Sequence, residues 1–305
     1  MVYNMITSSV SSQLVTQVTS EIMHALPNQL QIFSPRLFGA ANLNQPDYGI
    51  PLKDVTAQIP AGAKKGQDIK VPFLGDAVAK DKVENSPVVN QTVSVSTKTL
   101  TLNKHKYVAV TEEDVAKYFT NYEGLKEYAT IQARAIAKAF ELDVISLFTG
   151  FATSLGSGNG SVFSFDTCGD INQQFHLAGI DITMPGSEAY VVLDPEHYKD
   201  VLASRDQYDI AGDRGLQQVN KGKLIETPHG CKMMRSNFIT KTGGAAKMAA
   251  LTKDAIMVGF GIKPRVQRDY ILPELGTLQV ADVFYGVAEC RDEAGILLNY
   301  DDVNA

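Results

Sequence analysis

The segment VVNQTVSVSTKTLTLNKHKYVAV, residues 88–110, most strongly limits the folds open to this chain. It is rich in Val and Thr, contains neither Pro nor Gly, and largely alternates apolar with polar positions, which is typical of a half-buried β-strand. An unbroken strand of this length would span roughly 70 Å, whereas a compact chain of 305 residues has a diameter of about 50 Å. The sequence therefore predicts that part of this element rests on a partner outside its own domain.

The apolar positions of this segment change parity along its length. Val93 and Val95 lie on odd positions, whereas Leu100, Leu102 and Val108 lie on even ones. Because one face cannot then be buried throughout, we expect a bulge or twist near residues 97–99 and different partners at the two ends. The preceding run GQDIKVPFLGD predicts a strand over 68–74. Together the two strands would form a large two-stranded ribbon with a polar, lysine-bearing connection.

A narrow amphipathic helix is predicted near the N-terminus. Apolar residues recur at every fourth position between Ser, Thr and Gln residues, and they are Ile6, Val10, Leu14, Val18, Ile22 and Leu26. So thin a stripe fits a surface helix on its own domain and an arm lying on a partner equally well. Pro27 ends the helix, and an irregular connector rich in Pro and Gly follows to Ile59.

The rest of the sequence mixes helices and strands without a regular β-α-β rhythm, which favours the α+β class. Thr111 followed by three acids predicts a helix start, and the run FATSLGSGNGSVFSF predicts a glycine-serine hinge. The remaining predicted elements are helices over 122–148 and 197–203, strands over 190–193, 255–260, 276–288 and 295–299, and a hairpin turning at 228–230.

Charge, cysteine content and hydropathy exclude several functional classes. The formal net charge of −6 gives no basic surface with which to read nucleic acid. The three cysteines are far apart and odd in number, which argues for a reducing compartment and against a disulfide framework or zinc ribbon. The sequence shows neither a signal-peptide pattern nor 18 consecutive apolar residues, so we expect no membrane segment.

Catalytic and cofactor patterns are sparse. The runs GSGNGS and GAKKG lack the residues that nucleotide-binding loops require, and the sequence contains no serine-hydrolase elbow, zinc-protease helix or EF-hand pattern. The sequence predicts no catalytic, cofactor-binding or metal-binding residues. One alternative is a soluble hydrolase whose site includes Asp194, His197 and His229, with Cys231 as a nucleophile close to His229.

Three stretches of this sequence are similar to one known family. KKGQDIKVPFLGDAVAKD, TLTLNKHKYVAVTEEDVAKY and LKEYATIQARAIAKAFELDVISLF resemble the extended loop, return strand and spine helix of podophage-like coat proteins. VVLDPEHYKDVL and GKLIETPHGCKMMRSN look like the axial-domain strand-helix unit and its later hairpin. Over nearly its whole length the chain resembles the Hong Kong 97-type major capsid proteins of tailed bacteriophages.

This resemblance implies a shell protein in four regions. They are an N-terminal arm (1–58), an extended β-ribbon loop (59–104), a peripheral domain with the spine helix (105–160 and 250–305) and an axial domain (161–249). Copies would form pentamers and hexamers and close an icosahedral shell around phage double-stranded DNA, which is enclosed without sequence-specific binding. The protein would be made in a bacterial host cytoplasm and reside in the virion.

The resemblance also implies partners and leaves one alternative open. Because the arm begins almost at Met1, a separate scaffolding protein is implied, together with a portal, and a cement protein is compatible with the family. A nanocompartment shell of the same fold, similar to the encapsulins and enclosing an enzyme cargo, is the alternative. Copurification of a protein cargo rather than DNA would distinguish the two.

By the same resemblance, four sets of residues are expected at subunit interfaces. The extended loop contributes Lys70, Asp76, Lys80, Lys82 and Glu84, and the arm contributes Ile6, Val10, Leu14, Val18 and Ile22. The axial loop contributes Asp209, Asp213 and Arg214, and the peripheral run KPRVQRDYILPELG contributes Arg265, Arg268 and Glu274. Some relatives crosslink a loop lysine to a neighbour's asparagine, for which Lys80, Lys82 and Asn299 are nominal candidates.

Overall fold

The computed structural model describes most of the chain after residue 48. Its described residues are 33, 49–60, 62–75, 77–82, 84–88, 90–114, 125–158, 160–164, 166–184, 187–203, 225–226 and 230–301. The predicted amphipathic helix of the arm and the predicted axial loop lie outside these ranges, and so does Asp76.

The described chain contains thirteen strands and three α-helices. The strands are β1 Lys53–Asp54, β2 Gln67–Leu74, β3 Val95–Leu102, β4 Lys104–Glu113, β5 Thr153–Gly158, β6 Ala189–Leu193, β7 Ile225–Glu226, β8 Cys231–Arg235, β9 Lys241–Thr242, β10 Ala245–Leu251, β11 Ile256–Ile271, β12 Gly276–Glu289 and β13 Gly295–Asp301. The helices are α1 Leu125–Ile145, α2 Thr167–Leu177 and α3 Pro195–Ala203.

A long four-stranded sheet has the order β1-β11-β12-β4. β11 and β12 form an antiparallel hairpin of 16 and 14 residues, with register shifts between Phe260 and Arg265. Helix α1 packs across this sheet through its Ala and Phe positions. Phe140 lies with its ring centroid 5.4 Å from that of Tyr285 and 6.2 Å from that of Phe260. Part of the main core therefore forms between α1 and the hairpin, and the same cluster continues into the seven-stranded sheet and helix α2.

A seven-stranded sheet of mixed direction forms the second layer, in the order β5-β13-β10-β6-β8-β7 with β9 beside β10. β5 and β8 run parallel to their neighbours β13 and β6, whereas β10 is antiparallel to both β13 and β6. Helix α2 buries Cys168, Ile171 and Phe175. Mixed strand directions combined with packed helices confirm the predicted α+β class.

β2 and β3 form the predicted ribbon, and its base carries a separate small core. The two strands pair without irregularity from Gln67 opposite Leu102 to Leu74 opposite Val95. The buried ribbon residues Ile69, Val71, Leu100 and Leu102 cluster with Val55, Met257, Phe284 and Cys290. One face of the ribbon base therefore packs on its own chain, whereas its other face and the outer part of the ribbon are exposed.

The predicted long strand is interrupted at Asn103, and the predicted irregularity near residues 97–99 is wrong. Residues 90–94 are not strand, and Val95 is exposed, so the odd-numbered valines need no second buried face. The prediction of different partners at the two ends is confirmed, because β3 pairs with β2 and β4 pairs with β12.

The predicted helix start is displaced, and one other local prediction is wrong. Residues 111–113 extend β4 and pair with residues 276–278 of β12, and a helix begins at Asp114 rather than directly after Thr111. Much of the predicted glycine-serine hinge is the edge strand β5, which gains backbone hydrogen bonds from β13. The predicted strands β6, β12 and β13 and the hairpin of β7 and β8 are confirmed within a few residues. None of the helices in the described ranges is long and apolar enough to cross a membrane.

Candidate functional site

The outer part of the ribbon exposes a group of large apolar side chains. We call residues 74–95 the ribbon tip. Leu74, Val78, Val88 and Val95 are 79%, 68%, 72% and 59% exposed. Burying each of these side chains would stabilise a complex by about 1.5–3 kcal/mol. Because these four lie at one end of one element, the ribbon tip has the character of a contact surface for another molecule.

Of the charged residues predicted for the extended loop, Lys80, Lys82 and Glu84 lie in the ribbon tip, and Lys70 lies in β2. Lys70, Lys80, Lys82 and Glu84 are all exposed, whereas Asp76 lies outside the described residues. Lys82 donates a hydrogen bond to the backbone carbonyl of Ser86 across the tip. Exposed lysines at a rim contribute little affinity by themselves, so the apolar side chains carry most of the binding potential.

Polar contacts hold the inner half of the ribbon against its own subunit. Lys98 Nζ lies 2.8 Å from Asp292 Oδ1. Lys53 Nζ lies 4.4 Å from the centroid of the Phe73 ring and 3.3 Å from Asp254 Oδ1. Both lysines are partly exposed, so each contact contributes up to about 1 kcal/mol. The direction of the ribbon is thus defined by several contacts within its own chain.

A second exposed apolar group lies at the turn of the long hairpin. We call residues 270–275 the hairpin tip. Tyr270, Leu272 and Leu275 are 43%, 74% and 61% exposed, and Leu275 has a left-handed backbone with φ of 44°. Tyr270 donates its hydroxyl hydrogen to Asp114 Oδ2 at 2.8 Å, and this hydrogen bond raises the pKa of Tyr270. The predicted interface residue Glu274 is exposed in the same turn.

Of the two predicted arginines of this region, Arg265 is paired within its own chain, whereas Arg268 is half-buried. Arg265 Nε lies 2.9 Å from Asp282 Oδ1, and His105 Nε2 lies 3.2 Å from Asp282 Oδ2. Burial alone would raise the pKa of Asp282, but hydrogen bonds from Arg265 and His105 outweigh it and the pKa is lowered. Arg268 is half-buried, and this burial lowers its pKa despite the nearby charge of Glu112. Their placement at an interface remains a prediction.

The residues of the hydrolase alternative are packed into the seven-stranded sheet region. His197 is 2% exposed, and its Nε2 donates to the Asp301 carbonyl oxygen at 3.1 Å. Asp194 is also buried, and its Oδ2 lies 3.3 Å from Lys241 Nζ. His229 lies outside the described residues. Among the residues that the structure describes, Asp194 and His197 therefore make buried contacts, Asp194 directly after β6 and His197 in helix α3.

The described residues give little support to a nucleophilic cysteine or to a metal site. Cys168, Cys231 and Cys290 are all free and buried, and burial raises the pKa of the Cys168 and Cys290 thiols. A thiol of raised pKa is a poor nucleophile at neutral pH. Among the residues that the structure describes, no three His, Cys, Asp or Glu side chains are grouped so that they could hold a metal ion.

Asn299, the nominal crosslinking partner of the ribbon lysines, already has a partner in its own chain. Lys247 Nζ donates to Asn299 Oδ1 at 2.7 Å, and the two residues face each other across β10 and β13. Lys80 and Lys82 belong to the ribbon tip. Crosslinking between subunits through these residues therefore remains a prediction.

In sequence, the chain matches no protein-family model and no curated protein. In structure, it is similar to the capsid of Cyanophage P-SCSP1u, with 14% identity over 83% of this chain and 86% of that chain at a TM-score of 0.62. The similarity to the capsid of Ralstonia phage GP4 has 10% identity over 87% and 96% of the two chains at a TM-score of 0.65.

The chain has the fold of phage capsid proteins. A virus-like particle from Pyrococcus furiosus is also similar, with 11% identity over 93% of this chain and 99% of that chain at a TM-score of 0.55. Within this capsid fold, the ribbon tip and the hairpin tip are two places where described residues expose grouped apolar side chains. The sequence analysis names charged residues in both segments and not their exposed apolar residues. For the hairpin tip, the run Leu-Pro-Glu-Leu was a usable signal, because it places two leucines in a turn.

Proposed function

We propose that this chain is a major capsid protein whose function is self-assembly into a closed shell around phage double-stranded DNA. The observation that carries the proposal is the match to phage capsid structures over most of both chains. The capsid fold leaves the ribbon tip and the hairpin tip uncovered by their own subunit. A protein whose role is to form contacts with copies of itself needs such surfaces.

The uncovered surfaces fit a head-to-tail mode of association. The two tips differ in sequence and shape, so each needs a different surface on the neighbouring copy, and contacts of this kind generate rings. Pentamers and hexamers of this kind, closed into an icosahedral shell, are the assembly that the proposal includes. In a closed lattice each later contact is nearly intramolecular, so many modest interfaces suffice for a durable container.

The finer features of the Hong Kong 97-type resemblance form part of the same proposal. They include the four regions, the arm on a neighbouring copy, the axial loop near the capsomer axis, a virion location after synthesis in a bacterial host, and separate scaffolding and portal proteins. The net charge of −6 is compatible with enclosing DNA, because a container needs no tight binding to its contents.

A second candidate is a cellular nanocompartment shell with a protein cargo. The observation that favours it is the similarity to a virus-like particle from Pyrococcus furiosus, which covers 93% of this chain. The same fold and the same self-association would serve both functions. Only the contents of the shell separate them.

Electron microscopy of the purified protein at neutral pH and moderate salt tests the proposal. We expect closed shells, or rings of five and six copies. A uniform population of monomers or dimers at every concentration tested, both for the purified protein and after co-expression with its separate scaffolding protein, would contradict self-assembly. Shells from the native source would then be treated with nuclease and opened. Protected double-stranded DNA supports the phage capsid, whereas a single copurifying protein identified by mass spectrometry supports the nanocompartment.

A further inference from the structure

The base of the ribbon lies directly on two glycines of the long sheet. Gly259 of β11 and Gly286 of β12 are paired opposite each other. Thr101 and Leu102 of the ribbon contact Gly286, and Leu100 contacts Gly259. We call this pair of glycines the glycine seat. Glycine weakens a strand interior and often marks the place where another backbone approaches closely.

The approach at Gly286 is a contact between two backbones. A Cβ at this position would lie 2.5 Å from the carbonyl oxygen of Thr101 and 3.1 Å from its carbonyl carbon. The backbone of a paired strand cannot move aside as a flexible side chain can. A side chain at residue 286 therefore requires that β3 lift away from the sheet.

The approach at Gly259 is different in kind. There a Cβ would lie 2.8 Å from Leu100 Cδ2 and 2.9 Å from Ile59 Cδ1, which are the ends of flexible side chains. Rotation of these side chains can make room at little cost. Replacement by alanine should therefore displace the ribbon more at Gly286 than at Gly259.

A small displacement at the seat becomes a larger one at the ribbon tip. The strand break at Asn103 lies two residues beyond Thr101, while Val95 lies eight residues from Asn103 along β3. If β3 pivots at Asn103, Val95 is about four times as far from the pivot as Thr101 is, at ~3.3 Å per residue. A lift of about 1 Å at Thr101 therefore moves Val95 by roughly 4 Å. Such a shift would misalign apolar contacts that require close packing.

We propose that the glycine seat sets the direction of the ribbon in the free subunit, so that the ribbon tip is already placed for contact with a neighbouring copy. This inference rests on the proposed function, because it concerns how the shell subunit is made ready for assembly. A ribbon fixed in advance loses less conformational freedom when its tip binds, which strengthens each contact. The buried cluster at the ribbon base and the Lys98–Asp292 ion pair act in the same direction.

The test compares Gly286→Ala with Gly276→Ala, a change of the same kind in the same strand. A Cβ at Gly276 lies 3.0 Å from the Glu112 carbonyl oxygen, so it strains the sheet without touching the ribbon. In each background, Val88→Cys and Ile131→Cys provide exposed sites for spin labels, while the three native cysteines are buried. Double electron-electron resonance on unassembled subunits, diluted with unlabelled protein, measures the distance from ribbon to helix α1.

We expect Gly286→Ala to shift or broaden this distance by several Å, because Val95 is about four times as far from the break at Asn103 as Thr101 is. In proteins without the two added cysteines, so that Val88 is intact, Gly286→Ala should lower the yield of closed shells at least about tenfold. Gly276→Ala should leave the distance and the yield as in the wild type. An unchanged distance in Gly286→Ala would overturn the inference. So would a changed distance accompanied by a normal yield of shells of normal shape.

A second variant keeps the test decisive if Gly286→Ala does not fold. Gly259→Val introduces a branched side chain that rotation of Leu100 and Ile59 cannot fully accommodate, so it should shift the distance in the same direction, and an unchanged distance there would overturn the inference. A wild-type protein that never forms shells would contradict the proposed function instead. The distance measurement on unassembled subunits would still decide whether the seat sets the ribbon's direction.

Discussion

Gly156 shows how closely single residues are constrained in this fold. It has a φ of 82° in β5, and a Cβ there would lie 2.2 Å from the carbonyl oxygen of Asn299 in β13. Gly156→Ala therefore combines backbone strain with displacement of a paired strand. We expect the free energy of unfolding, measured with urea on the unassembled subunit, to fall by more than about 2 kcal/mol.

Gly160→Ala is the matched control for this prediction. Gly160 has nearly the same φ, 84°, but no atom lies within 4 Å of its Cβ position. It should lose only the strain contribution of about 1–2 kcal/mol. Equal losses in the two variants would show that the approach of β13 to Gly156 is unimportant.

Asp143 links helix α1 to two strands of the long sheet. Its carboxylate accepts hydrogen bonds from Tyr285 at 2.8 Å and from Lys104 at 3.1 Å, and Lys106 Nζ lies 3.2 Å away. Burial by itself would raise the pKa of Asp143, but these hydrogen bonds and the charge of Lys104 outweigh it and the pKa is lowered. A lowered folded-state pKa contributes stability above the unfolded pKa of about 3.9 that is lost as the pH falls through the folded pKa.

Asp143→Asn should remove this pH-dependent contribution. We expect a loss of about 1.5–3 kcal/mol at pH 7, because hydrogen bonds to a charged acceptor are replaced by weaker ones. The difference from the wild type should shrink as the pH is lowered below about 4. Urea unfolding at several pH values measures both quantities, and parallel stability curves for the two proteins would contradict the assignment.

At the scale of residues, the sequence locates exposed segments, and whether the named side chains lie at an interface remains a prediction. Lys80, Lys82 and Glu84 are exposed in the ribbon tip, where Leu74 and Val88 provide more apolar surface. Arg265 Nε lies 2.9 Å from Asp282 Oδ1 in the same chain. Sequence alone could not reveal that ion pair, because residues 265 and 282 meet only when β11 and β12 pair.

At the scale of elements, the ribbon divides into a base that stabilises the subunit and a tip that does not. Leu102 is fully buried in the second core, whereas Val88 is 72% exposed. Leu102→Ala should lower the free energy of unfolding of the unassembled subunit by about 2–5 kcal/mol. Val88→Ser should change it by less than about 0.5 kcal/mol. A large loss in Val88→Ser would mean that the tip folds against its own subunit.

Helices and strands are predictable from the sequence where the contacts that form them join residues close together in the chain. Helix α1 is predictable because large apolar and alanine residues each recur at every fourth position within one segment, as Ile136, Phe140 and Val144 and as Ala129, Ala133 and Ala137. The odd positions of Val93 and Val95 predict an irregularity at the wrong place in the strand, because the fold leaves both valines outside the core. Helix α2 was missed although Cys168, Ile171 and Phe175 have helical spacing. The glycine-serine composition of β5 predicts a hinge, because the pairing with β13 that makes this segment a strand is a long-range contact.

At the scale of the whole molecule, the α+β class and the capsid fold were both predictable. The length of residues 88–110 predicts an external partner, but these residues do not form one unbroken strand, because 90–94 are not strand and Asn103 separates β3 from β4. Contact of the exposed ribbon tip with another molecule remains a prediction. The order of strands in the two sheets was not predictable, because β1 and β5 pair with strands far along the chain. Such pairing is decided by the packed core rather than by local pattern.

Deleting residues 75–90 separates the stability of the subunit from its assembly. The deletion joins Leu74 to Gln91 and leaves residues 91–94 as a four-residue connection between β2 and β3, a length that hairpins commonly use. It removes Val78 and Val88, both exposed, and none of the residues of the second core. We expect soluble, folded subunits with a thermal midpoint close to that of the wild type.

These shortened subunits should fail to form closed shells in electron micrographs, because the tip that reaches a neighbouring copy is gone. The double variant Val78→Ser and Val88→Ser keeps the length of the loop and removes only its apolar side chains, so it should lower the yield of shells without abolishing folding. Normal shells from the shortened protein would show that the ribbon tip carries no assembly contact. Insoluble, unfolded protein would show instead that the tip belongs to the subunit's own core.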